Sequence, residues 1–194
     1  MGAEEPGAVK KEERLGRGRR LARSLVPIIL AVGLALLGYF SLGVVMGTDT
    51  PLVVVPSGSM RPTISVGDIL LIQGVKPEEI VADPVKGDVI VFWQPGESVR
   101  IVHRAVGKTE YGVITKGDAN AYPDFFSPVP YSLIVGKWTG VKIPAWTGLG
   151  YLALILRGEL YAPLGQIIWA AIILINILLI AREIFFSPRS RASP

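Results

Sequence analysis

LVPIILAVGLALLGYFSLGVVM, Leu25 to Met46, decides the class of this chain. Its 22 residues carry no charge. As a helix rising 1.5 Å per residue the run would reach about 33 Å, enough for a hydrocarbon core of about 30 Å. A second uncharged run of 22 residues, LYAPLGQIIWAAIILINILLIA, extends from Leu160 to Ala181. Core helices of soluble domains are usually shorter and keep a polar face, so both runs read as membrane spans. The first exceeds the roughly 7–15 apolar residues of a cleaved signal peptide, and no small-x-small site follows it. It therefore reads as a retained anchor.

Working outward, the two runs account for the excess hydrophobicity of the whole chain. Of 194 residues, 50% are hydrophobic and 19% charged, and the mean hydropathy is +0.46. That profile excludes a disordered chain and a nucleic-acid-binding tail. Outside the two runs, the hydrophobic share of the remaining 150 residues falls to about 41%, ordinary for a soluble domain. The expected organisation is a basic N-terminus (1–24), a first span (25–46), a β-rich domain (47–159), a second span (160–181) and a short tail (182–194).

Charge orients this arrangement. Lys10, Lys11, Arg14, Arg17, Arg19, Arg20 and Arg23 precede the first span, and Arg182, Arg189 and Arg191 follow the second. Positive flanks stay cytoplasmic, so both termini are expected inside and the middle domain outside a cell membrane. Residues 48–159 hold 10 Lys/Arg and 11 Asp/Glu, so the surplus of +4 sits at the two ends. The lipid bilayer, not nucleic acid, is the expected partner of the basic end.

The middle domain reads as β. Leu52–Val55, Ile69–Ile72, Val89–Trp93, Arg100–Val106, Gly112–Thr115 and Ser132–Trp138 are short Val- and Ile-rich runs. Turn residues separate them, among them Val66-Gly67-Asp68, Lys86-Gly87-Asp88, Gln94-Pro95-Gly96, Lys108-Thr109-Glu110 and Pro128-Val129-Pro130. No helical period of ten residues or more occurs between 48 and 144. Tyr151–Leu156 is apolar and reads as an interfacial helix or loop before the second span.

The chain has no Cys and a single His. Disulfides, thiol nucleophiles, iron–sulfur clusters and multi-histidine zinc sites are thereby excluded, and neither metal nor cofactor is expected. Three clusters remain that could carry chemistry. In Pro56-Ser57-Gly58-Ser59-Met60-Arg61-Pro62-Thr63, serines flank a glycine just after a strand. Such a turn can present a serine Oγ together with its own N–H to a carbonyl, the geometry of acyl transfer; a plain polar turn has the same composition. His103 lies inside the apolar run Arg100–Val106, where neutral imidazole can accept a serine proton or serve the fold. In Thr115-Lys116-Gly117-Asp118 through Asp124, two aspartates lie six apart. One of them beside the histidine would fix its tautomer; capping of a turn is the alternative.

Taken together in the order Ser, His, Asp, these clusters resemble the type I signal peptidases. PSGSM with a Pro two residues later is similar to the serine box of that family, VGDILLI and KGDVIVF to its strand boxes, and TKGDAN to its closing box. IVHRAVG is similar to the box where bacterial members carry a Lys base, and His103 in that place resembles the archaeal and endoplasmic-reticulum branch. The resemblance covers roughly residues 50–145. It implies a mainly β catalytic domain of coiled sheets between two flanking transmembrane helices. It implies removal of signal peptides from secreted preproteins, with substrate added to a strand edge and the Sec translocation machinery nearby. By the same resemblance Ser59 is the nucleophile and His103 the general base. Asp124 is the triad carboxylate and Asp118 a second important one. Ser57 belongs to the oxyanion hole, with Val55 and Pro56 lining the substrate site.

Rival readings are a Ser–Lys dyad using Lys108 or Lys116, and an aspartic pair of Asp68 and Asp88. Lys108 reads as a hydrated turn residue, and Lys as base needs a buried, desolvated position. Asp68 and Asp88 each follow Gly at a strand start and read as turn residues. A catalytically silent membrane-anchored scaffold, a binding module or another membrane serine protease would share the composition and topology.

Overall fold

The computed structural model of the chain describes residues 6–186, with side chains over 26–182. It contains two compact units, Met1–Pro51 and Leu52–Pro194. Of the cations that orient the chain, those at 10–23 lie where only the backbone is described, and Arg189 and Arg191 lie outside the described residues.

The first unit carries helix α1 (Pro6–Met46). It begins well before the expected Leu25 because the preceding Lys, Arg, Glu, Leu and Ala are strong helix formers and extend the same helix. Its stretch Val26–Met46 is long and apolar enough to cross a bilayer. The helix stops at a glycine cap. Gly47 takes φ 65°, and the N–H groups of Gly47 and Thr48 donate to Val44 O (3.3 Å) and Gly43 O (3.1 Å). This crossed pair satisfies two of the four carbonyls left free at the helix end.

The second unit is built on seven strands: β1 (Leu52–Val54), β2 (Ile69–Gln73), β3 (Val89–Trp93), β4 (Arg100–Lys108), β5 (Gly112–Lys116), β6 (Val129–Pro130) and β7 (Ile134–Ile143). They form one sheet in the order β1-β2-β7-β3-β4-β5-β6, and every pairing is antiparallel. Two strand readings needed correction. Val129 pairs with Val113 as part of β6, although Pro128-Val129-Pro130 reads as a separator. The prolines cannot donate, but at a sheet edge they need not. The last strand runs Ile134–Ile143 instead of Ser132–Trp138, since Tyr131–Leu133 turns as a 3-10 helix and the pairing with β2 continues to Ile143.

Period-2 alternation divides the side chains of the sheet between two cores. Val89 and Val91 of β3 pack with Val53, Val55, Met60, Ile64, Leu70, Ile72 and Val102. Ile90 and Phe92 of the same strand pack with Ile80, Ala105, Val113 and Val129. A strand buried on both faces reads as an unbroken apolar run, and VIVF at 89–92 is one.

After the sheet come α2 (Leu149–Leu156) and α3 (Leu164–Phe186). The stretch at 151–156 is thus helical. The second apolar helix starts at Leu164, not Leu160, because Gly158 (φ 72°) and Tyr161 (φ 56°) turn the chain first. Pro163, lacking an N–H, suits the start of a helix and not its interior. Leu164–Arg182 is long and apolar enough to span a bilayer.

Helix α2 sits on the sheet by direct backbone approach. A Cβ built on Gly150 would fall 1.9 Å from Gly67 O, so only glycine allows this contact. We predict that Gly150→Ala lowers stability by about 1–3 kcal/mol, as overpacking does, read as a drop in the thermal unfolding midpoint in detergent. Gly33 in α1 has open space around its Cβ position, and Gly33→Ala should cause no such drop.

Candidate active site

Ser59 lies in the turn between β1 and β2. The turn is anchored from below by Met60 and Ile64, both fully buried, and closed by Arg61 N–H to Gly58 O (3.1 Å) and Ile64 N–H to Met60 O (2.9 Å). The ladder of β1 continues one step beyond the strand, with Val55 N–H donating to Asp68 O and Gly67 N–H to Val55 O, both at 2.9 Å. The backbone entering the serine turn is therefore held on both sides. Ala119 N–H donates to Ser59 O at 2.8 Å, which ties the serine to the loop that follows β5.

His103 stands in the middle of β4, opposite Ile90, and is 7% exposed. Its Nε2 is 3.0 Å from Ser59 Oγ. Its Nδ1 is 2.6 Å from Asp124 Oδ2. An ionised carboxylate only accepts, so Nδ1 carries the proton and Nε2 is left to accept from the serine hydroxyl. Phe92 borders the imidazole, with ring centroids 6.5 Å apart.

Asp124 is itself held. Its N–H donates to Thr115 O (2.8 Å), and Ser127 N–H donates to Asp124 O (3.0 Å). Thr115 Oγ1, on a fully buried residue, donates to Asp124 Oδ2 at 2.7 Å. Ser127 Oγ accepts from Thr115 N–H at 3.0 Å and lies 3.2 Å from Thr115 Oγ1. The Ser57 hydroxyl is 3.2 Å from Ser59 Oγ.

The two aspartates separate at β4. Asp118 does not join the histidine. It accepts from Arg104 Nε and Nη2, both at 2.7 Å, and from Thr63 Oγ1 at 2.6 Å, while Arg104 Nη1 donates to Gly87 O at 2.7 Å. Burial pushes the Asp118 carboxyl up. The hydrogen bonds from Arg104 and Thr63, with the Arg104 charge, outweigh it and hold the carboxyl below its ordinary 3.8. Arg104 is pushed up in return, through its hydrogen bonds to Asp118.

Neither rival pairing forms. Lys108 is the last residue of β4 and not part of the turn, and it is exposed as expected. Its Nζ donates to Pro77 O (2.7 Å) and Ile80 O (2.8 Å), because the 77–80 backbone folds over that end of the strand. Lys116 lines a separate cavity of about 240 Å³ with Thr63, Arg104 and Asp118. Asp68 and Asp88 are more than turn residues, since each holds a lysine. Lys142 Nζ reaches Asp68 at 2.7 Å and Lys137 Nζ reaches Asp88 at 3.1 Å. Burial alone would push the Asp68 carboxyl up, but Lys142 and the N–H groups of Ser65 and Ala145 hold it below 3.8.

Ser59 and His103 open onto a cavity of about 630 Å³. Val55, Pro56 and Ser57 line it, as does β1, an edge strand of the sheet. Ser98–Val102 of the β4 side and Trp93 form another wall. A serine aligned with a carboxylate-oriented imidazole, beside a strand edge, can carry out acyl transfer on an extended peptide.

Comparison with known proteins agrees with this chemistry. A family model described as signal peptidase, peptidase S26, matches residues 20–117. The chain belongs to the signal peptidase family, peptidase S26. The matched stretch includes Ser59 and His103 and ends just before Asp118. Among similar proteins are signal peptidase complex catalytic subunits SEC11 from three fungi. That of Pyricularia oryzae is 35% identical over 114 residues, 57% of this chain and 64% of the relative. That of Clavispora lusitaniae is 36% identical over 110 residues, 55% and 63%. That of Scheffersomyces stipitis is 30% identical over 134 residues, 66% and 78%. The chain thus spans a little under two thirds of the first of these relatives.

In this member of the signal peptidase family, sequence reasoning held Thr63, Arg104 and Thr115 within its three clusters but gave them no role, and it passed over Ser127. Arg104 had a local signal, being next to the only histidine. The hydroxyls had none, since Ser and Thr in turns are commonplace. It also missed Arg157 and Glu159, which line the large cavity.

Asp118→Asn should cost about 2–3 kcal/mol at neutral pH, by leaving a buried guanidinium half-paired. The folded carboxyl lies below its unfolded value, so its contribution is complete above about pH 4 and is lost as pH falls through the folded value. Thermal unfolding from pH 7 to 2 should therefore show a shallower acid decline for the variant than for the unsubstituted chain.

Proposed function

We propose that this chain is a membrane-held serine endopeptidase that removes N-terminal signal peptides from exported preproteins. The observation that carries this reading is the continuous chain Ser59 Oγ, His103 Nε2, His103 Nδ1, Asp124 Oδ2, with links of 3.0 and 2.6 Å, opening on a cavity beside an edge strand. The family match and the SEC11 relatives support the same activity.

His103 takes the proton from Ser59 Oγ as the oxygen attacks the carbonyl of the scissile bond. The resulting imidazolium is stabilised by Asp124, held in place by Thr115. Negative charge on the former carbonyl oxygen is met by Ser59 N–H and the Ser57 hydroxyl. His103 then gives its proton to the leaving amine, which frees the mature chain. Water activated by His103 hydrolyses the acyl-enzyme and regenerates Ser59. The cavity wall of Val55, Ile101 and Val102 suits the small side chains that precede a signal-peptide cut. Asp118 acts at a distance, clamping β4 to the serine turn through Arg104 and Thr63.

The chain is anchored by α1 and α3, each with a stretch able to span a bilayer. The charge bias puts both ends in the cytoplasm and the β domain on the outer face. The SEC11 relatives are named as catalytic subunits of a signal peptidase complex, so further subunits and the translocation machinery are the partners to seek.

Membranes carrying the chain should shorten a preprotein at its signal junction. Ser59→Ala and His103→Ala should each lower that rate by about a thousandfold or more while the protein still accumulates. Full activity in His103→Ala would remove histidine as base. A rate rising only above about pH 9 would point to a lysine instead. A scaffold would give no cleavage at all, and a different serine protease would ignore the small-residue rule. Thr115→Val should lower kcat about tenfold by freeing Asp124, with Thr115→Ser restoring it.

A further inference from the structure

Between Lys142 and Arg182 the sequence carries two charged residues, Arg157 and Glu159. Placing charges in an otherwise uncharged stretch, just ahead of a helix able to span a bilayer, needs a reason. Both residues line the cavity that holds Ser59 and His103.

The turn that carries them is firmly built. Gly158 N–H donates to Ile155 O at 3.0 Å, and Glu159 and Leu160 N–H both reach Leu154 O, at 3.0 and 3.2 Å. Leu154 is fully buried. A Cβ on Gly165 would fall 2.0 Å from Ile155 O, so the first turn of α3 is pressed against the last turn of α2. Gly150 meets Gly67 in the same way, and the Tyr151 ring lies over Gly67. Gly67 in turn donates to Val55 O at the end of β1. Backbone contacts thus run unbroken from the serine turn to Arg157. The two charged side chains are 55% and 42% exposed and only loosely paired, at 3.8 Å. Their backbone is held, and the side chains remain open to a ligand.

The rest of the cavity wall is largely apolar, with Arg100 stacked over Trp93 at 5.2 Å. Two arginines and one glutamate leave this wall with a net positive charge. The cavity extends from Ser59 and His103 along Leu52–Pro56 and Ser98–Val102. On the cleavage reading above, on which this step rests, the apolar part of a signal peptide precedes the cut. Arg157 and Glu159 stand just ahead of α3, a helix able to span a bilayer, and share one cavity with Ser59.

We infer that Arg157 and Glu159 form a subsite for the polar segment of the preprotein between its apolar stretch and the scissile bond. Arg157 takes carboxylate or carbonyl oxygens of that segment, and the positive wall disfavours a lysine there. The subsite selects by charge, whereas the small-residue pocket selects by size.

The test uses a preprotein with alanines before the cut and either Glu or Lys five residues ahead of it. The unsubstituted chain should cleave the Glu form about fivefold better in kcat/KM, the scale of a half-exposed ion pair, with the difference in KM. Arg157→Glu should reverse the preference, Arg157→Gln should abolish it, and Glu159→Lys should increase it. Binding of the two peptides to the Ser59→Ala chain should follow the same order. If the unsubstituted chain cleaves but all variants keep one unchanged preference, the subsite is overturned and the protease reading stands. If the unsubstituted chain cleaves neither form nor any other preprotein, both are overturned.

Discussion

His103 and Arg104 are neighbours on β4, so their side chains leave opposite faces of the strand. Each takes its own aspartate. His103 meets Asp124 at 2.6 Å, and Arg104 meets Asp118 in a two-pronged pair at 2.7 Å. The loop from Gly117 to Asp124 must therefore wrap the edge of one strand and be gripped from both faces. That grip also reaches the serine turn, through Thr63 to Asp118 and through Ala119 N–H to Ser59 O. Three segments far apart in the chain converge because one strand alternates.

The division suggests separate duties for two carboxylates of the same type. Asp124 shares its Oδ2 between the imidazole and the Thr115 hydroxyl, an arrangement suited to orienting a base. Asp118 spends its acceptor capacity on a guanidinium and a threonine. Through these bonds it joins β4 to the serine turn. Glycine makes such closeness possible: a Cβ on Gly117 would lie 2.7 Å from Ser59 O, and one on Gly87 2.0 Å from Ala105 O.

Much of this was legible beforehand. VIVFW at 89–93 matched a strand residue for residue, because a run apolar on both faces flanked by turn residues leaves few alternatives. The Ser, His and Asp boxes were visible as residue types. What failed has identifiable causes. Val129-Pro130 looked like a turn, yet an edge position tolerates proline. Lys108 looked like a turn residue, yet it ends β4 and its exposed side chain reaches the distant carbonyls of Pro77 and Ile80. Thr115 and Ser127 looked ordinary because their importance lies in what they touch.

The sequence alone determined the two apolar helices, the β character of the middle and the residue types able to carry acyl transfer. Hydropathy, period-2 alternation and turn chemistry are local properties, readable within a window of ten or twenty residues. Only the tertiary structure decided which aspartate meets His103, that Asp68 and Asp88 each hold a lysine, and that Arg157 and Glu159 line the cavity of Ser59. These outcomes depend on strand register and loop closure across tens of residues. A one-residue shift in register would have turned His103 to the other face of its strand.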